Sequence, residues 1–348
     1  DVEARYVRAP EQATAPGVYV TNYEMAPRFD SADFGAVVVD ESSILAHPDS
    51  KTRQQLTGQW ARTPYRLACS ATPVPNNIEE LTRHAEFLGV CTSAEMRATY
   101  FVNDGKDWRL KGHAAGPMFR WMASWAVALR TPSDLGWPDA GHLPPRPRIV
   151  ADLVDADVPV GDGELFAAGL GGIGGRAKTR RATLAPRVRR AVELVNAEPR
   201  EPWIVWTGLN DEARQVTADL TAAGFDAVNV EGSWSPEAKA EAIEAFADGG
   251  VKILVSKISI CGFGLNFQHC ARMIFLGMND SFAQYYQAVR RCYRYGQPRV
   301  VDVHLVLSEL EFAIAANVAR KEREAERTIS RLVDAMRDTW LAEEREAA

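Results

Sequence analysis

The chain has 348 residues, with 40 Lys and Arg against 46 Asp and Glu, which gives a net charge of −6. A chain of this length is expected to form about two domains. The acidic balance excludes a protein that coats nucleic acid by bulk positive charge, so any basic surface must be local. Apolar residues at 46% and charged residues at 25% are typical of a globular protein with a large buried core.

Five cysteines, at positions 69, 91, 261, 270 and 292, lack C-x-x-C spacing. They indicate neither a disulfide framework nor a zinc site, and a reducing cytoplasm is the expected compartment. No apolar run reaches the roughly 18 residues that a membrane span needs, so we expect a soluble protein. The first residue is Asp1 rather than Met, which suggests a fragment of a longer protein.

The first α/β stretch ends near residue 92. Valine-rich runs predict short buried strands at 17–21 and 36–40, and another strand is predicted at 65–70. Helices are predicted from about 50 to 60 and from 77 to 88. The middle of the chain, about 93–200, is irregular in pattern, and Pro144, Pro145 and Pro147 make 141–148 a stiff connector.

The second α/β stretch has a clearer pattern. Its strand candidates are rich in valine and isoleucine and lie at 203–207, 225–230, 251–256, 272–277 and 301–307. Helical patterns separate most of them, at about 210–223, 236–247 and 281–293. Strands that alternate with helices predict an α/β fold with a mainly parallel sheet covered on both faces.

Two motifs of the first stretch follow strand candidates. VVVDESS (37–43) places Asp40 and Glu41 at a strand end, where open α/β folds bind ligands. An Asp there can hold Mg²⁺ through water and the Glu can polarise a water molecule, although a solvated acidic turn would have the same sequence. SATPVPNN (70–77) offers the hydroxyls of Ser70 and Thr72, with a plain turn and an asparagine helix cap as the alternative.

Two further motifs lie in the second stretch. SKISICGFGLNF (256–267) contains Gly262 and Gly264, which let backbone amides approach a ligand, or else simply form a tight turn. In QAVRRCYRYGQ (287–297), helical spacing places Gln287, Arg291 and Arg294 on one face, with Arg290 nearby. Guanidinium groups in such number favour a phosphate partner, and a solvated basic helix is the alternative.

Taken in chain order, these motifs resemble those of a superfamily-two (DEAD/DEAH-type) helicase, and within it of the Swi/Snf-like ATP-dependent DNA translocases. The matching elements are DESS at 40–43, SATP at 70–73 with NNIEEL at 76–81, SKISICGFGLN at 256–266, and 287–297. The resemblance covers most of residues 18–310. It departs from the family pattern at Ser42 and Ser43, where a histidine is usual, and no G-x-x-x-x-G-K-S/T phosphate cradle precedes the acidic motif.

The resemblance implies two RecA-like lobes, the first of them incomplete. Residues 1–92 would be the C-terminal part of the first, ATP-binding lobe, and 195–310 would be the second lobe. Between them, 93–194 would form a connector with a helical, basic insertion, and 311–348 a charged helical tail. ATP and Mg²⁺ would occupy the cleft between the lobes. Because the phosphate cradle is missing, a protein that consists of residues 1–348 alone should hydrolyse ATP very weakly or not at all.

The same resemblance implies a role for each motif residue. Asp40 would organise Mg²⁺ and Glu41 would orient the lytic water, while Arg291 and Arg294 would act on the γ-phosphate as arginine fingers. The other implied roles are nucleotide contact for Gly262, Gly264 and Gln287, and coupling of hydrolysis to lobe motion for Ser70 and Thr72.

The implied partner is DNA, held mostly at its phosphates and so without sequence preference. Residues 165–192 contain seven basic and no acidic residues, so we predict phosphate contacts from Arg187, Arg189 and Arg190, with a solvated helix as the alternative.

Two other functions stay open, a non-hydrolysing nucleic-acid-binding remnant and a nuclease or other phosphoryl-transfer enzyme. The compact chain suggests a bacterial or bacteriophage protein.

Overall fold

The computed structural model describes residues 3–47, 49–74, 76–105, 107–154, 183–261, 265–277, 281–308 and 311–347. The chain divides into two compact units. The first comprises residues 1–130 and 323–348, and the second comprises residues 131–322. Gly262, Gly264 and the basic residues of 165–182 lie outside the described residues, so their predicted roles stay predictions.

The strands of the first unit are short and pair in twos. β1 (Ala4–Tyr6) and β2 (Val18–Val20) are parallel, as are β3 (Ala36–Val39) and β4 (Tyr65–Ala68), and β5 (Phe101–Asn103) and β6 (Trp108–Leu110) are antiparallel. The helices are α1 (Lys51–Gln59), α2 (Leu81–Leu88), α3 (Ser93–Tyr100) and α4 (Ala115–Met122). The strands and helices predicted before residue 92 are therefore confirmed, and 93–122 is more regular than its sequence indicates.

The predicted burial of the strands at 17–21 and 36–40 is wrong. Val18, Val20 and Val38 expose 47%, 50% and 61% of their surface, whereas Val39 exposes only 2%. Each strand has one hydrogen-bonded neighbour among the described residues, and successive side chains point to opposite faces. Only one face of each pair therefore packs against the rest of the unit.

The second unit is built on one six-stranded parallel sheet. Its strands are β7 (Arg148–Val154), β8 (Trp203–Thr207), β9 (Ala227–Val230), β10 (Ile253–Lys257), β11 (Arg272–Leu276) and β12 (Asp302–Ser308), in the order β7-β12-β11-β8-β10-β9. Its helices are α5 (Leu184–Ala197), α6 (Asn210–Ala222), α7 (Pro236–Ala247), α8 (Ile258–Cys261) and α9 (Phe282–Arg290). The predicted α/β fold with a parallel sheet is confirmed.

Strand β7 is an element that the sequence did not predict. It begins directly after Pro147 and pairs with β12 from Arg148↔Asp302 to Val154↔Ser308. Its residues are mostly exposed or half-buried because it lies at the edge of the sheet. The six-stranded sheet therefore takes in residues that the sequence assigned to the connector.

Apolar packing holds each unit together. The core of the second unit lies where the buried strands β8, β10 and β11 meet Val188 and Val195 of α5 and Val216 of α6. The last helix, α10 (Phe312–Ala347), places Leu332 and Met336 in a core of the first unit formed by α2, α3 and α4, so it is more than a solvated tail. No helix in the described ranges is both long and apolar enough to cross a membrane.

Candidate functional site

The acidic motif forms a tight turn directly after β3. Asp40 is exposed, and Glu41 adopts left-handed backbone angles, with φ 49° and ψ 46°. Beyond the paired strands, the N–H of Cys69 donates to the carbonyl oxygen of Val39 (2.9 Å) and the N–H of Ser42 donates to that of Cys69 (2.8 Å). These bonds place the acidic turn beside the chain that enters the SATP motif, as the parallel pairing of β3 and β4 requires.

Hydrogen bonds and charge define the surroundings of Asp40. Its Oδ1 accepts the N–H of Glu41 (2.9 Å), and its carbonyl oxygen accepts the hydroxyl of Tyr23. Burial, and then the neighbouring carboxylates of Asp40 and Glu41, raise the pKa of Tyr23 to about 12. Tyr23 therefore stays protonated at neutral pH and remains a donor to the turn.

A side chain of the SATP motif forms a hydrogen bond with the backbone of the motif itself. The Oγ of Ser70 accepts the N–H of Thr72 (3.0 Å). The side chain of Thr72 is buried, and its Oγ1 has no hydrogen-bond partner among the described residues. Asn77 caps the following helical turn by accepting the N–H of Glu79 (3.1 Å), so the predicted cap is present.

Helix α2 supplies residues to the acidic turn that sequence reasoning missed. His84 lies 42 positions after Ser42, and its Nε2 is 3.2 Å from the Oγ of Ser42. Arg83 donates to the carbonyl oxygen of Ala46 (2.6 Å). Neither contact has a signal in the sequence, because nothing in the spacing relates α2 to this turn.

In the second unit, the segment after Gly264 and the arginine-rich motif form one hydrogen-bonded structure. Arg291 donates to the carbonyl oxygen of Leu265 (2.9 Å) and to the Oε1 of Gln287 (2.7 Å), and the N–H of Phe267 donates to the carbonyl oxygen of Arg291 (2.8 Å). Gln297 then donates to the carbonyl oxygens of Gln268 and Cys270. The two motifs therefore keep a fixed geometry relative to each other. We name residues 265–270 and 287–297 together the paired motif.

The two predicted arginine fingers differ in their surroundings. Arg291 exposes only 6% of its surface and is bonded within its own unit, so it cannot reach a nucleotide without giving up these bonds. Arg294 is half-buried, contacts the Oδ1 of Asn266, and has no partner for its Nε in the part of the chain described. Because α9 ends at Arg290, Arg294 does not lie on the helical face predicted for it.

A small polar cavity of about 70 Å³ lies at the carboxyl ends of β8, β10 and β11. Its polar lining includes Thr207, Lys257, Ser259 and Gln284. One ammonium group, two hydroxyls and an amide suit an anionic oxygen, and this edge of a parallel sheet is where such folds bind ligands.

The prediction that Arg187 contacts phosphate is wrong. Arg187 is completely buried, pairs with Glu212 (2.9 Å) and Glu311 (3.8 Å), and donates to the carbonyl oxygen of Leu276 (3.0 Å). Its charge is neutralised inside the unit, where no polyanion can approach.

The other two arginines of α5 differ from Arg187. Arg190 pairs with Asp152 (2.6 Å) and Glu193 (3.2 Å). Arg189 is exposed, and its phosphate contact stays a prediction. No cluster of His, Cys, Asp and Glu within the described ranges could hold a metal ion.

The predicted sites thus form two groups, one in each unit. Asp40 and Glu41 lie beside the SATP motif in the first unit, and Gln287, Arg291 and Arg294 lie beside residues 265–268 in the second unit. That all of them line one cleft stays a prediction.

Comparison with known proteins gives the family of one segment. Residues 186–296 match the helicase conserved C-terminal domain. No curated protein matches the chain in sequence. S. cerevisiae Dbp5 bound to RNA and ADP BeF3 is similar in fold, with a TM-score of 0.56 and 11% identity over 95% of this chain and 74% of that one.

The C-terminal part of the Fun30 ATPase domain aligns with a TM-score of 0.36 and 15% identity over 39% of this chain. The aligned region is 46% of that structure, so this chain spans less than half of its length. Residues 186–296, which match the helicase conserved C-terminal domain, contain strands β8 to β11 and most of the paired motif.

Proposed function

We propose that this chain is part of an ATP-dependent nucleic-acid translocase of the Swi/Snf-like group that acts on duplex DNA without sequence preference. The observation that carries the proposal is the paired motif, in which Arg291 and Arg294 are held against Leu265 and Asn266. Most of it lies inside the segment that matches the helicase domain. A guanidinium held in place beside Leu265 and Asn266 suits charge stabilisation on a transferring phosphoryl group.

The residues of the acidic turn fit the magnesium end of a magnesium nucleotide. Asp40 is exposed and uses Oδ1 for the N–H of Glu41, which leaves Oδ2 able to bind a metal-coordinated water. Bound Mg²⁺ would supply charge neutralisation to the phosphates. The sequence contains no G-x-x-x-x-G-K-S/T cradle for the β- and γ-phosphates. Residues 1–348 therefore fit such a nucleotide only in part.

Within this proposal the chain's own residues have distinct tasks. Asp40 would hold a metal-coordinated water, and Glu41 would orient the attacking water. Arg294 is half-buried and its side chain contacts only Asn266 among the described residues, so it is better suited than Arg291 for contact with phosphate, and Arg291 with Gln287 fixes its supporting segment. Ser70 and Thr72 would couple the acidic turn to motion, with the unpartnered Oγ1 of Thr72 as the group that gains a partner.

The cavity at the carboxyl edge of the six-stranded sheet supports a contact with a nucleic-acid phosphate. Lys257 there contributes a positive charge, and Thr207 and Ser259 contribute hydroxyls. Among the described residues, Arg187 and Arg190 form ion pairs, whereas Arg189 is exposed on α5 and is the member of the predicted basic triplet that we propose for phosphate contact. A few such contacts give affinity without sequence preference.

A competing function is a nucleic-acid-binding protein that does not hydrolyse ATP. Such a protein would not require the phosphate-cradle motif that residues 1–348 lack. Both functions predict DNA binding, but only the translocase predicts that the protein binds and hydrolyses ATP. Glu41→Gln in the longest reading frame that contains this chain should abolish DNA-stimulated ATP turnover while sparing ATP binding, and a frame without any stimulated turnover would favour the competing function.

The test of nucleic-acid binding uses residues 1–348 and a pair of lysines at opposite ends of β10. Lys257 lines the cavity, whereas Lys252 precedes the amino end of the strand and is exposed. Lys257→Ala should lower affinity for a fluorescent 30-base-pair duplex of any sequence and reduce the log–log salt slope by about 0.9, the value for one lost phosphate contact. Lys252→Ala should leave both unchanged.

Duplex RNA and single strands serve as competitors in the same anisotropy measurement, and duplex DNA is expected to bind most tightly. Absence of DNA binding by the folded chain, or equal effects of the two lysines, would contradict the proposal. Preference for RNA would remove the Swi/Snf-like assignment and keep the helicase assignment.

A further inference from the structure

The acidic turn contains a residue in an unfavourable backbone conformation. Glu41, with φ 49°, is the only residue other than glycine with positive φ in the described part of the chain. A left-handed conformation costs an ordinary L-residue about 1–2 kcal/mol, and it persists only where the surroundings fix it. The direction in which the Glu41 carboxylate points depends on this conformation, since rotation about φ or ψ at Glu41 would swing the side chain away.

Contacts on both sides of Glu41 fix the turn. Before it, the hydroxyl of Tyr23 donates to the carbonyl oxygen of Asp40. After it, Ser42 exposes 1% of its surface, donates its N–H to Cys69 (2.8 Å), and pairs its Oγ with the Nε2 of His84 (3.2 Å). The hydroxyl–imidazole pair joins this turn to α2.

A second contact from α2 makes the attachment rigid. Arg83, next to His84, exposes 5% of its surface and donates to the carbonyl oxygen of Ala46 (2.6 Å). Its guanidinium is held by the carboxylate of Glu79 (2.9 Å), which also accepts the Nε of Arg97 (2.5 Å). Adjacent residues of α2 therefore hold both ends of the helical turn Ser42–Ala46 that follows the two acids.

We propose that His84 is a positioning residue, which holds the turn after β3 through Ser42 and so sets the directions of the Asp40 and Glu41 carboxylates. The role of those carboxylates rests on the proposed function, but the effect of His84 on the turn does not. Burial, and then the charge of Arg83, lower the pKa of His84, which keeps the imidazole neutral at pH 7. A neutral imidazole can pair with the hydroxyl in either tautomer without bringing a charge into the interior.

The competing explanation is that His84 only fills space in the core. Leucine at this position would then support the turn as well as histidine does. Glutamine places a hydrogen-bonding group near the position of Nε2, so it separates hydrogen bonding from packing. The test therefore compares His84→Leu, His84→Gln, Ser42→Ala and the double variant with leucine and alanine.

Two measurements on residues 1–348 report on the turn. Backbone ¹³C chemical shifts of Glu41 identify its left-handed conformation. The second readout is the ratio of the amide hydrogen-exchange rate of Ser42 to that of Cys69, whose N–H is bonded to the carbonyl oxygen of Val39 nearby. His84→Leu and Ser42→Ala should each raise this ratio about 5- to 10-fold, the equivalent of one neutral hydrogen bond. The ratio in the double variant should be close to that of either single variant. His84→Gln should retain most of the protection of the Ser42 amide.

Met118→Ala is the matched control for lost stability. Met118 is completely buried in a core of the first unit that contains no residue of β3 or of the turn Ser42–Ala46, so its truncation should destabilise the unit without changing the Ser42-to-Cys69 ratio. The proposal is overturned if His84→Leu keeps the Glu41 shifts and the ratio, if glutamine does no better than leucine, or if the two single variants add fully. These readouts need no ATP or DNA, so a failure of the proposed function would leave them unaffected.

Discussion

Replacement of Arg187 by methionine should destabilise the second unit and leave DNA recognition itself intact. Methionine keeps much of the length of the side chain but removes the guanidinium. Glu212 and Glu311, which expose 1% and 2% of their surface, then lose their cation, and the carbonyl oxygen of Leu276 loses a donor. Removal of one partner from a buried ion pair costs about 3–5 kcal/mol.

That cost converts into a large change in melting temperature. A unit of this size loses about 2–4 °C per kcal/mol, so the transition of the second unit should fall by roughly 6–20 °C. Differential scanning calorimetry measures the shift, and hydrogen exchange of peptides from α5 and β11 assigns it to this unit. Arg189→Met, on the exposed face of the same helix, is the control and should change stability by less than about 0.5 kcal/mol.

DNA affinity decides between the structural role and the phosphate contact. At a temperature well below its lowered melting temperature, Arg187→Met should bind duplex DNA with the same affinity and the same log–log salt slope as the parent chain. A variant that melts within about 2 °C of the parent and yet has a salt slope smaller by about 0.9 would refute the reasoning, since that slope is the mark of one lost phosphate contact.

Two other expectations follow from the buried polar groups. Because the folded-state pKa of His84 lies below its unfolded value of about 6.5, the first unit should have its full stability above that pH and lose stability as the pH falls below it. Calorimetry at pH 7.5 and 5.5 should show a smaller loss for His84→Gln, and equal losses would contradict this. Gln297→Leu removes the bonds donated to the carbonyl oxygens of Gln268 and Cys270 and the one accepted from the N–H of Arg299, so it should cost about 2–4 kcal/mol and speed exchange in 265–270, whereas Tyr295→Ala at an exposed position should do neither.

In the sheet of the second unit, the buried strands were predictable from the sequence and the exposed edge strand was not. Strands β8, β10 and β11 are covered on both faces, so they appear in the sequence as continuous apolar runs between helical patterns. Strand β7 lies at the sheet edge, carries the charged residues Arg148 and Asp152 among apolar ones, and follows a proline-rich segment. Its pairing with β12 depends on a partner about 150 residues away, which no local pattern reports.

The candidate site was predictable where neighbours in space follow from strand order. Parallel pairing of β3 with β4 brings the acidic motif beside SATP, as their positions at strand ends predict. Ser42 looked like a departure that weakened the resemblance, because a histidine is usual in that part of the family's motif. In the structure Ser42 is buried and meets a histidine that arrives from α2, a contact set by helix packing rather than by motif spacing.

Arginine shows most clearly what sequence patterns leave undecided. Arg187 and Arg189 are two residues apart in one acid-free segment, yet the helical turn directs one into the core towards Glu212 and Glu311 and the other into solvent. In the same way, Arg291 is buried with its guanidinium bonded to Leu265 and Gln287, whereas Arg294 is half-buried and its side chain contacts only Asn266 among the described residues. A guanidinium can bind phosphate only with donors that the fold has not already used. Among these four arginines, Arg189 and Arg294 are therefore the two that we propose for contact with a polyanion.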